Sequence, residues 1–548
     1  MSPFCRGFFT WKSAFSMLRD PKFQQVLIIE DHPITARQIS SMLQSMGWKR
    51  IDIVEQGDLA IEAIENTEYQ WIFCDHDLGM GKNGQQVLEE ARVTGVLSET
   101  SAFVLITALQ SIETVLGTLE WSPDGYLHKP LRFEEFRSRI ERIRQNKRIL
   151  YPIKAALDFG DFTIALKMCH SLLKAYPQLA LSIYRFKASI LFQAGVFDEA
   201  EKIYNLVLGT KQTDWAILGI AKTRYASNKE EDALKILENF LKNKQPHFQA
   251  LDFLAEIYLN RGDHLKAMEV LFQASEIAST SVERQYRLAK ICQQIGDKDG
   301  WIKASRKALL SGRFSVFKKD VFYYYAISAT MPLLANENNK IKIQGISDIH
   351  QIIEFIKLDF VADDENRLIF GLLDAFYAHI SDDLTGYENS INRTVQLSKL
   401  YQRNKVTSIL KLPIEFEDFF PKKILHDFQD RLLKSEPLSI EYLKIDQKEL
   451  FDSAELMHKA AVRLYRKRQF NRASRIFQKI LRLYKADAFI LLNAIQNELA
   501  IIKKSRNEKH ESLFNDFNEK ISKFTLSTTQ SKKLDQLRLD LDNHLKQA

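Results

Sequence analysis

In the segment VLIIEDHP, residues 26–33, a run of four apolar residues ends at two adjacent acids, Glu30 and Asp31. Three later apolar runs also end at a residue that can do chemistry: WIFC before Asp75, FVLI before Thr107 and GYLH before Lys129. Short apolar runs that alternate with helical patterns indicate buried strands of a parallel sheet. Because ligands bind beyond the carboxyl ends of such strands, these polar residues are expected to meet in one pocket.

Strand and helix patterns alternate five times over residues 23–148. The predicted strands cover residues 26–30, 51–54, 71–74, 103–107 and 125–128. The predicted helices cover residues 33–46, 58–65, 84–94, 112–119 and 133–146. Parallel strands joined by single helices predict a doubly wound α/β domain of the flavodoxin-like kind, with a five-stranded parallel sheet.

The acids of the predicted pocket favour a metal and a phosphoryl group. Glu30 and Asp31 would be costly at the end of a buried strand unless a cation neutralised them, and hard oxygen ligands suit Mg²⁺. Asp75 can complete that cluster, and a carboxylate beside Mg²⁺ can act as a nucleophile and form an acyl phosphate. The Lys129 ammonium can neutralise developing charge, and the Thr107 hydroxyl can bond a phosphoryl oxygen.

The segments VLIIEDHP, FCDHDLGMGKNG, LITA and YLHKP together resemble the signature of bacterial response-regulator receiver domains. This resemblance implies that Asp75 is the phosphoacceptor, with a sensor histidine kinase as the donor. It also implies that Asp31 is the main Mg²⁺ ligand, that Glu30 acts through water, and that Asp77 offers its backbone carbonyl to the metal.

Further roles follow from the same resemblance. Thr107 and Lys129 would contact the phosphoryl group, and Thr107 with Tyr126 would form the switch. The Lys129–Pro130 peptide bond would be cis. This chain departs from the family in having Glu30 where Asp is commoner, and in a longer loop, HDLGMGKNG, after Asp75. Two alternatives stay open: a degenerate receiver that is not phosphorylated, and Asp77 as the acceptor.

The composition limits the architectures that the whole chain can adopt. It has 548 residues, too many for one core, and only 20 Gly and 12 Pro, which favours a helix-rich architecture. No run approaches the roughly 18 apolar residues of a membrane span, so no membrane insertion is expected. The four cysteines form no CxxC pair, which argues against a zinc site and a disulfide framework and favours a reducing cytoplasm.

The expected domains begin with an N-terminal extension and end with capping helices. Their predicted ranges are 1–22, 23–148, 149–310, 311–451 and 452–548. The extension is interrupted by Arg6, Lys12 and Arg19 and lacks the cleavage site of a signal peptide. It could be disordered, an amphipathic anchor, or a product of a mis-assigned start that properly lies at Met17.

A spaced motif repeats after the first domain. A small or turn-favouring residue is followed five positions later by Ala. The pairs are Gly160/Ala165, Gly195/Ala200, Asn228/Ala233 and Gly262/Ala267, and the next first member is Gly296. The intervals of 35, 33, 34 and 34 residues match the tetratricopeptide period, so residues 149–310 resemble tetratricopeptide repeats and predict an all-α solenoid. The small residue is expected to let two helices approach closely.

The remaining segments are expected to stay helical. Residues 311–451 predict divergent helix pairs whose register the sequence does not reveal, with Tyr323–Tyr325 in the core. In residues 452–548 the motif returns once, at Arg468 and Ala473, and capping helices follow a polar break at 505–512.

The segment from Arg463 to Lys485 carries nine Lys and Arg and no acid. A solvated helix face is the ordinary interpretation. A surface for an acidic protein is an alternative, and nucleic acid is disfavoured because no known base-reading motif accompanies the charge.

The combined architecture resembles receiver–tetratricopeptide response regulators. It implies a phosphorylation-controlled adaptor whose repeats bind one or more protein partners, with no separate output enzyme and with homodimerisation possible. In an alternative, the array stimulates dephosphorylation of, or sequesters, another signalling protein. In another, the stretch 463–485 binds nucleic acid.

Overall fold

The computed structural model describes residues 20–108, 121, 123–158, 160–243, 247–403, 409–413, 422–433, 439–443, 450–484, 487–505 and 507–547. Residues 1–19 of the N-terminal extension, the helix predicted at 112–119 and Lys485 therefore lie outside the described residues. The chain divides into two compact units, Met1–Asn243 with Asp452–Ala548, and Lys244–Phe451.

The first unit contains a five-stranded parallel sheet, as predicted. Its strands are β1 (Gln25–Ile29), β2 (Arg50–Val54), β3 (Trp71–Asp75), β4 (Ala102–Thr107) and β5 (Gly125–His128). Their spatial order is β2-β1-β3-β4-β5, and Val26 pairs with Ile51 on one side and Trp71 on the other. Strands β1, β3 and β4 are buried along nearly their whole length, because helices cover both faces of the sheet.

Four described helices flank this sheet. They are α1 (Pro33–Ser45), α2 (Gly57–Asn66), α3 (Gly84–Val93) and α4 (Phe133–Asp158). Helix α4 is longer than predicted: it runs through Pro152, so the domain boundary expected after Arg148 lies inside one continuous helix. Leu150, Ile153 and Ala156 extend the helix because they pack into the first hydrophobic cluster of the repeats.

Helix pairs follow in the first unit. They are α5 (Phe162–Ala175), α6 (Ala180–Gln193), α7 (Phe197–Thr210), α8 (Asp214–Ala226) and α9 (Glu230–Asn243), with a short 3-10 helix at Pro177–Leu179. Ala165, Ala200 and Ala233, the second members of the motif, are fully buried. The motif alanines are thus core residues of a helical array, as predicted.

The first members of the motif act differently from the prediction. Gly195, Gly262 and Gly296 have φ angles of 74°, 77° and 86°, in the left-handed region. A Cβ built on any of the three would meet no atom within 4 Å, so close helix approach does not require glycine there. The requirement is conformational, because each residue turns the chain between two helices.

The second unit is mostly helical. Its helices are α10 (Phe248–Asn260), α11 (His264–Ile277), α12 (Val282–Ile295), α13 (Lys298–Gly312), α14 (Val321–Thr330), α15 (Asn339–Asp359), α16 (Asp364–Ile380), α17 (Leu384–Arg403) and α18 (Lys422–Leu433), with a 3-10 helix at Met331–Ala335. Tyr323–Tyr325 are buried, as expected of core residues. A left-handed Asp382 joins α16 to α17.

The expectation of helices alone in residues 311–451 is wrong. Strands β6 (Ile409–Pro413) and β7 (Ser439–Leu443) form a two-stranded parallel sheet. Helix α18 lies between them in the chain, which supplies the crossover that two parallel strands require.

The chain then returns to the first unit. Its last helices are α19 (Ser453–Arg466), α20 (Phe470–Leu483), α21 (Ala488–Lys504), α22 (Glu508–Ile521) and α23 (Thr528–Gln547). Arg468 is left-handed at the turn between α19 and α20, and Ala473 is fully buried. Core residues of these helices belong to the hydrophobic cluster that covers one face of the five-stranded sheet. Among the described residues, no helix is long and apolar enough to cross a membrane.

Candidate functional site

The carboxyl ends of the parallel strands bring the predicted pocket residues together. Glu30 follows β1, Asp75 ends β3, Thr107 ends β4 and Lys129 follows β5. The Nζ of Lys129 donates to the Oδ2 of Asp75 at 2.7 Å and to the Oε1 of Glu30 at 3.0 Å. One ammonium therefore joins two carboxylates that come from neighbouring strands.

Both acids in this arrangement are buried, so their negative charges are costly unless they are neutralised. Glu30 is 1% exposed and Asp75 is 6% exposed. Burial raises the pKa of Glu30, and the Lys129 hydrogen bond only partly opposes it. Burial alone would lower the pKa of Lys129, but its bonds to Asp75 and Glu30 outweigh that effect and raise it. The ammonium is thus held charged between the two acids.

A second part of the pocket lies around Asp31. The Oδ1 of Asp31 is 3.1 Å from the Nδ1 of His32, and a Cβ built on Gly79 would lie 3.5 Å from the Oδ2. Glu30, Asp31 and His32 offer ligand atoms that all lie within 4.8 Å of one another. Asp75 is not in that group. His32 was not singled out from the sequence, although its position next to two acids is visible there.

The residues present fit a hard divalent cation. Both carboxylate oxygens of Glu30 lie 3.0 Å from the Nζ of Lys129, and the half-buried Asp31 follows Glu30 directly in the chain. Two adjacent carboxylates, whose ligand atoms lie within 4.8 Å of each other, match the oxygen donors that Mg²⁺ prefers.

The loop after Asp75 is held by its ends. Asp77 is exposed, and its Oδ1 accepts a hydrogen bond from the amide of Gly79 at 3.2 Å. At the far end Asn83 caps α3 in a reciprocal capping box with Gln86. A Cβ on Gly84 would lie 2.2 Å from the carbonyl oxygen of Asp75, so only glycine lets the start of α3 approach the pocket this closely.

The predicted switch residues sit on β4 and β5. Thr107 is 4% exposed, and its carbonyl accepts a hydrogen bond from the amide of Lys129 at 2.9 Å. Tyr126 is half-buried on the adjacent strand, and the Lys129–Pro130 peptide bond is cis. Burial lowers the pKa of His76, which favours its neutral form beside Asp75.

The basic stretch Arg463–Lys485 is not a solvated face. Six of its cations contact residues of the five-stranded-sheet domain or the end of α4. They are Arg463, Lys467, Arg472, Arg475, Lys479 and Arg482. The ordinary interpretation of this stretch is therefore wrong. The acidic-surface alternative describes it better, and the surface belongs to this same chain.

Comparison with known families agrees with this architecture. Residues 26–141 match the response regulator receiver domain, and residues 153–214 and 218–281 match the tetratricopeptide repeat. The chain thus has an N-terminal receiver domain followed by tetratricopeptide repeats.

Two curated proteins are similar to part of the chain. An uncharacterized transcriptional regulatory protein YkoG of Bacillus subtilis is 29% identical over 140 residues, which are 25% of this chain and 59% of that protein. The transcriptional regulatory protein MalR of B. subtilis is 26% identical over 125 residues, 23% of this chain and 52% of that protein. The chain thus spans about half the length of these curated relatives.

A solved receiver domain is also similar. The receiver domain of the sensor histidine kinase PA1611 of Pseudomonas aeruginosa PAO1, which has a magnesium ion in its active site cleft, is 26% identical. The match covers 23% of this chain and 97% of that one, with a TM-score of 0.20.

Proposed function

We propose that the chain is a two-component response regulator in which Asp75 accepts a phosphoryl group from a histidine kinase. The observation that carries this proposal is the 2.7 Å contact between the Oδ2 of Asp75 and the Nζ of Lys129, in a pocket that also contains Glu30. A nucleophilic carboxylate with a fixed cation beside it is the arrangement that phosphoryl transfer requires.

The transfer itself moves one phosphoryl group. A carboxylate oxygen of Asp75 forms the new O–P bond as the N–P bond of the donor phosphohistidine breaks, and the bond's electron pair leaves with the imidazole. Lys129 neutralises charge on the phosphoryl oxygens, and the hydroxyl of Thr107 donates a hydrogen bond to one of them. Transfer by this route depends on positioning and charge more than on proton movement.

Glu30 and Asp31 would hold Mg²⁺, with the backbone carbonyl of Asp77 as a further ligand. When bound, the cation would neutralise negative charge on a phosphoryl group beside the buried carboxylates. The ligand atoms of Glu30 and Asp31 lie within 4.8 Å of each other, which supports this assignment. The exposed Asp77 carboxylate remains outside the pocket and bonds its own loop.

The helical repeats form the output in this proposal. Stacked helix pairs present extended surfaces that bind peptides or helices of other proteins. We therefore infer a cytoplasmic adaptor whose repeats bind a protein partner in a manner that depends on the state of Asp75. Nucleic acid binding is not favoured, because most of the charge in Arg463–Lys485 is directed at the receiver.

The proposal is tested by comparing partner capture before and after phosphorylation. Full-length protein is treated with a small phosphodonor, once with Mg²⁺ and once with a chelator, and used as bait beside an Asp75→Asn variant. Capture of a defined protein that changes only in wild type with Mg²⁺ is expected. Capture that is the same in all samples would contradict a phosphorylation-controlled output.

A further inference from the structure

The basic helix pair, defined here as α19 and α20 (Ser453–Leu483), contacts the carboxyl ends of two receiver helices. Arg472 donates to the carbonyl oxygens of Ile64 and Glu65 at 2.6 and 2.7 Å, and to that of Val96 at 3.2 Å. Gln469 donates to the carbonyl of Glu65 at 2.8 Å. One guanidinium thus reaches the end of α2 and the turn after α3 together.

These acceptors are the groups that a helix leaves without partners. The last carbonyls of an α-helix have no intrahelical donor, and they carry the negative end of the helix dipole. A guanidinium with several fixed donors suits such a cluster better than a single ammonium does. Arg472 therefore acts as a cap for α2 that is supplied from 407 residues further along the chain.

Side-chain charges reinforce the contact. The buried carboxylate of Glu65 accepts from Arg463 at 2.8 Å and from Lys467 at 2.9 Å. Burial would raise the pKa of Glu65, but these two cations outweigh that effect and lower it. Arg475 pairs with Glu68 at 2.9 Å. An acidic receiver edge thus faces a basic helix pair.

Apolar contact completes the surface. A Cβ built on Gly95 would lie 3.3 Å from the Cε of Met457 and 3.7 Å from the Cγ1 of Ile476. Val96 and Leu97, which follow it, are buried in the same hydrophobic cluster as those two side chains. The turn after α3 is therefore packed tightly between the helices of the pair.

The loop that follows the phosphoacceptor contacts the starts of the same two receiver helices. The start of α3 abuts the backbone of Asp75, as Gly84 shows. In the loop between Asp75 and α3, Lys82 forms ion pairs with Asp58 in the first turn of α2 and with Glu90 of α3. Helix α3 has ten residues and is about 15 Å long, so it connects the backbone of Asp75 at its start with the turn at Gly95 after its end.

We propose that the basic helix pair is a docking element for this chain's own receiver, and that a phosphoryl group on Asp75 loosens it through α2 and α3. This inference rests on the proposed function for its trigger. The start of α3 packs directly against the backbone of Asp75, and the loop after Asp75 contacts the start of α2. A shift of this loop on phosphorylation therefore displaces both helices, including their far ends. The carbonyl and carboxylate contacts of Arg472 and Arg463 fit one position of those ends, so displacement weakens them.

Hydrogen exchange on the full-length protein tests the docking. Glu65→Arg places a third cation beside Arg463 and Lys467, and exchange of the amides in 453–484 is expected to rise at least about tenfold. The reciprocal variant Glu65→Arg/Arg463→Glu is expected to recover part of the protection. Arg466→Glu, an exposed cation of the same helix, serves as the control and is expected to change nothing.

The trigger is tested on the same peptides after phosphodonor treatment, with intact mass recorded in parallel. A mass gain with faster exchange in 453–484 supports the inference. A mass gain without faster exchange overturns the loosening and leaves the proposed function standing. Failure of wild type to gain mass overturns the proposed function and the trigger together. Unchanged exchange in Glu65→Arg overturns the docking itself.

Discussion

The ammonium of Lys129 lies 2.7 Å from the Oδ2 of Asp75, and the same ammonium lies 3.0 Å from Glu30. This contact joins the candidate nucleophile at the end of strand β3 to a counter-charge that directly follows strand β5, with β4 between the two strands. Because the strands are parallel, their carboxyl ends face one edge of the sheet, and that edge becomes the site.

Removing the cation tests how strongly the pocket depends on it. Lys129→Gln leaves two buried carboxylates unpaired, and the free energy of unfolding is expected to fall by roughly 3 kcal/mol at neutral pH. The pKa of Glu30, already raised, rises further in this variant. Since a proton on Glu30 removes one charge, the deficit is expected to shrink as the pH falls.

Urea unfolding at about pH 7.5 and about pH 5.5 measures this difference between the variant and wild type. A deficit that stays constant over this range would show that the lost energy does not come from buried charge.

A metal titration separates two candidate ligand sets. Asp31→Asn is expected to weaken Mg²⁺ binding by at least about tenfold, because it removes a charged oxygen donor. His32→Ala is expected to leave the affinity within about twofold, because Mg²⁺ disfavours imidazole. Calorimetric titration of the full-length protein gives both values. Equal weakening by the two substitutions would assign the ion to the Glu30–Asp31–His32 group instead.

The turn residues of the repeats offer a matched pair of glycine substitutions. Gly195→Ala is expected to destabilise α6 and α7 by about 1 kcal/mol, because alanine is strained at a φ of 74°. Gly209→Ala, within α7 and equally free of neighbours, is expected to stabilise by roughly 0.5–1 kcal/mol. Hydrogen exchange of the two helices reports both changes. Destabilisation by both substitutions would mean that space, not backbone conformation, requires these glycines.

A buried lysine gives a pH-dependent prediction. Lys147 lies 4.9 Å over the ring of Trp71 and donates to the carbonyl of Gln70. Burial lowers its pKa from 10.5 to about 7. Between these values the unfolded chain binds a proton that the folded chain has released, so this lysine makes stability rise with pH across that window.

Lys147→Met is expected to abolish this pH-dependent contribution to the free energy of unfolding. The stability of the variant relative to wild type therefore falls as the pH rises from 7 to 10.5. Arg148→Met, an exposed cation on the same helix, is expected to differ from wild type by a constant amount. Denaturation midpoints over this range measure both variants. Parallel curves for Lys147→Met and wild type would show that the lysine stays charged when buried.

Local patterns predicted the sheet and the pocket well. Apolar runs fit buried strands, and the residue after each run necessarily lies at a strand end, so Glu30, Asp75, Thr107 and Lys129 could be placed before any coordinates. The motif glycines also revealed the helix pairs. Their conformational role was missed, because small size and a left-handed φ select the same residue.

Three features had no local signal. Asp382 turns the chain without a motif Gly or Asn, and Tyr387 stands five residues later where the motif has Ala. Strands β6 and β7 are five residues each and pair across an intervening helix. The partners of Arg472 are backbone carbonyls far away in the chain, and no residue type marks a free carbonyl.

The proposed function requires that Asp75 itself becomes phosphorylated. Intact-mass analysis of wild type, Asp75→Asn and Asp77→Asn after treatment with a small phosphodonor and Mg²⁺ measures this directly. One phosphoryl group is expected on wild type and on Asp77→Asn, and none on Asp75→Asn. A phosphoryl group on Asp75→Asn, or its absence from wild type, would show that Asp75 is not the phosphoacceptor.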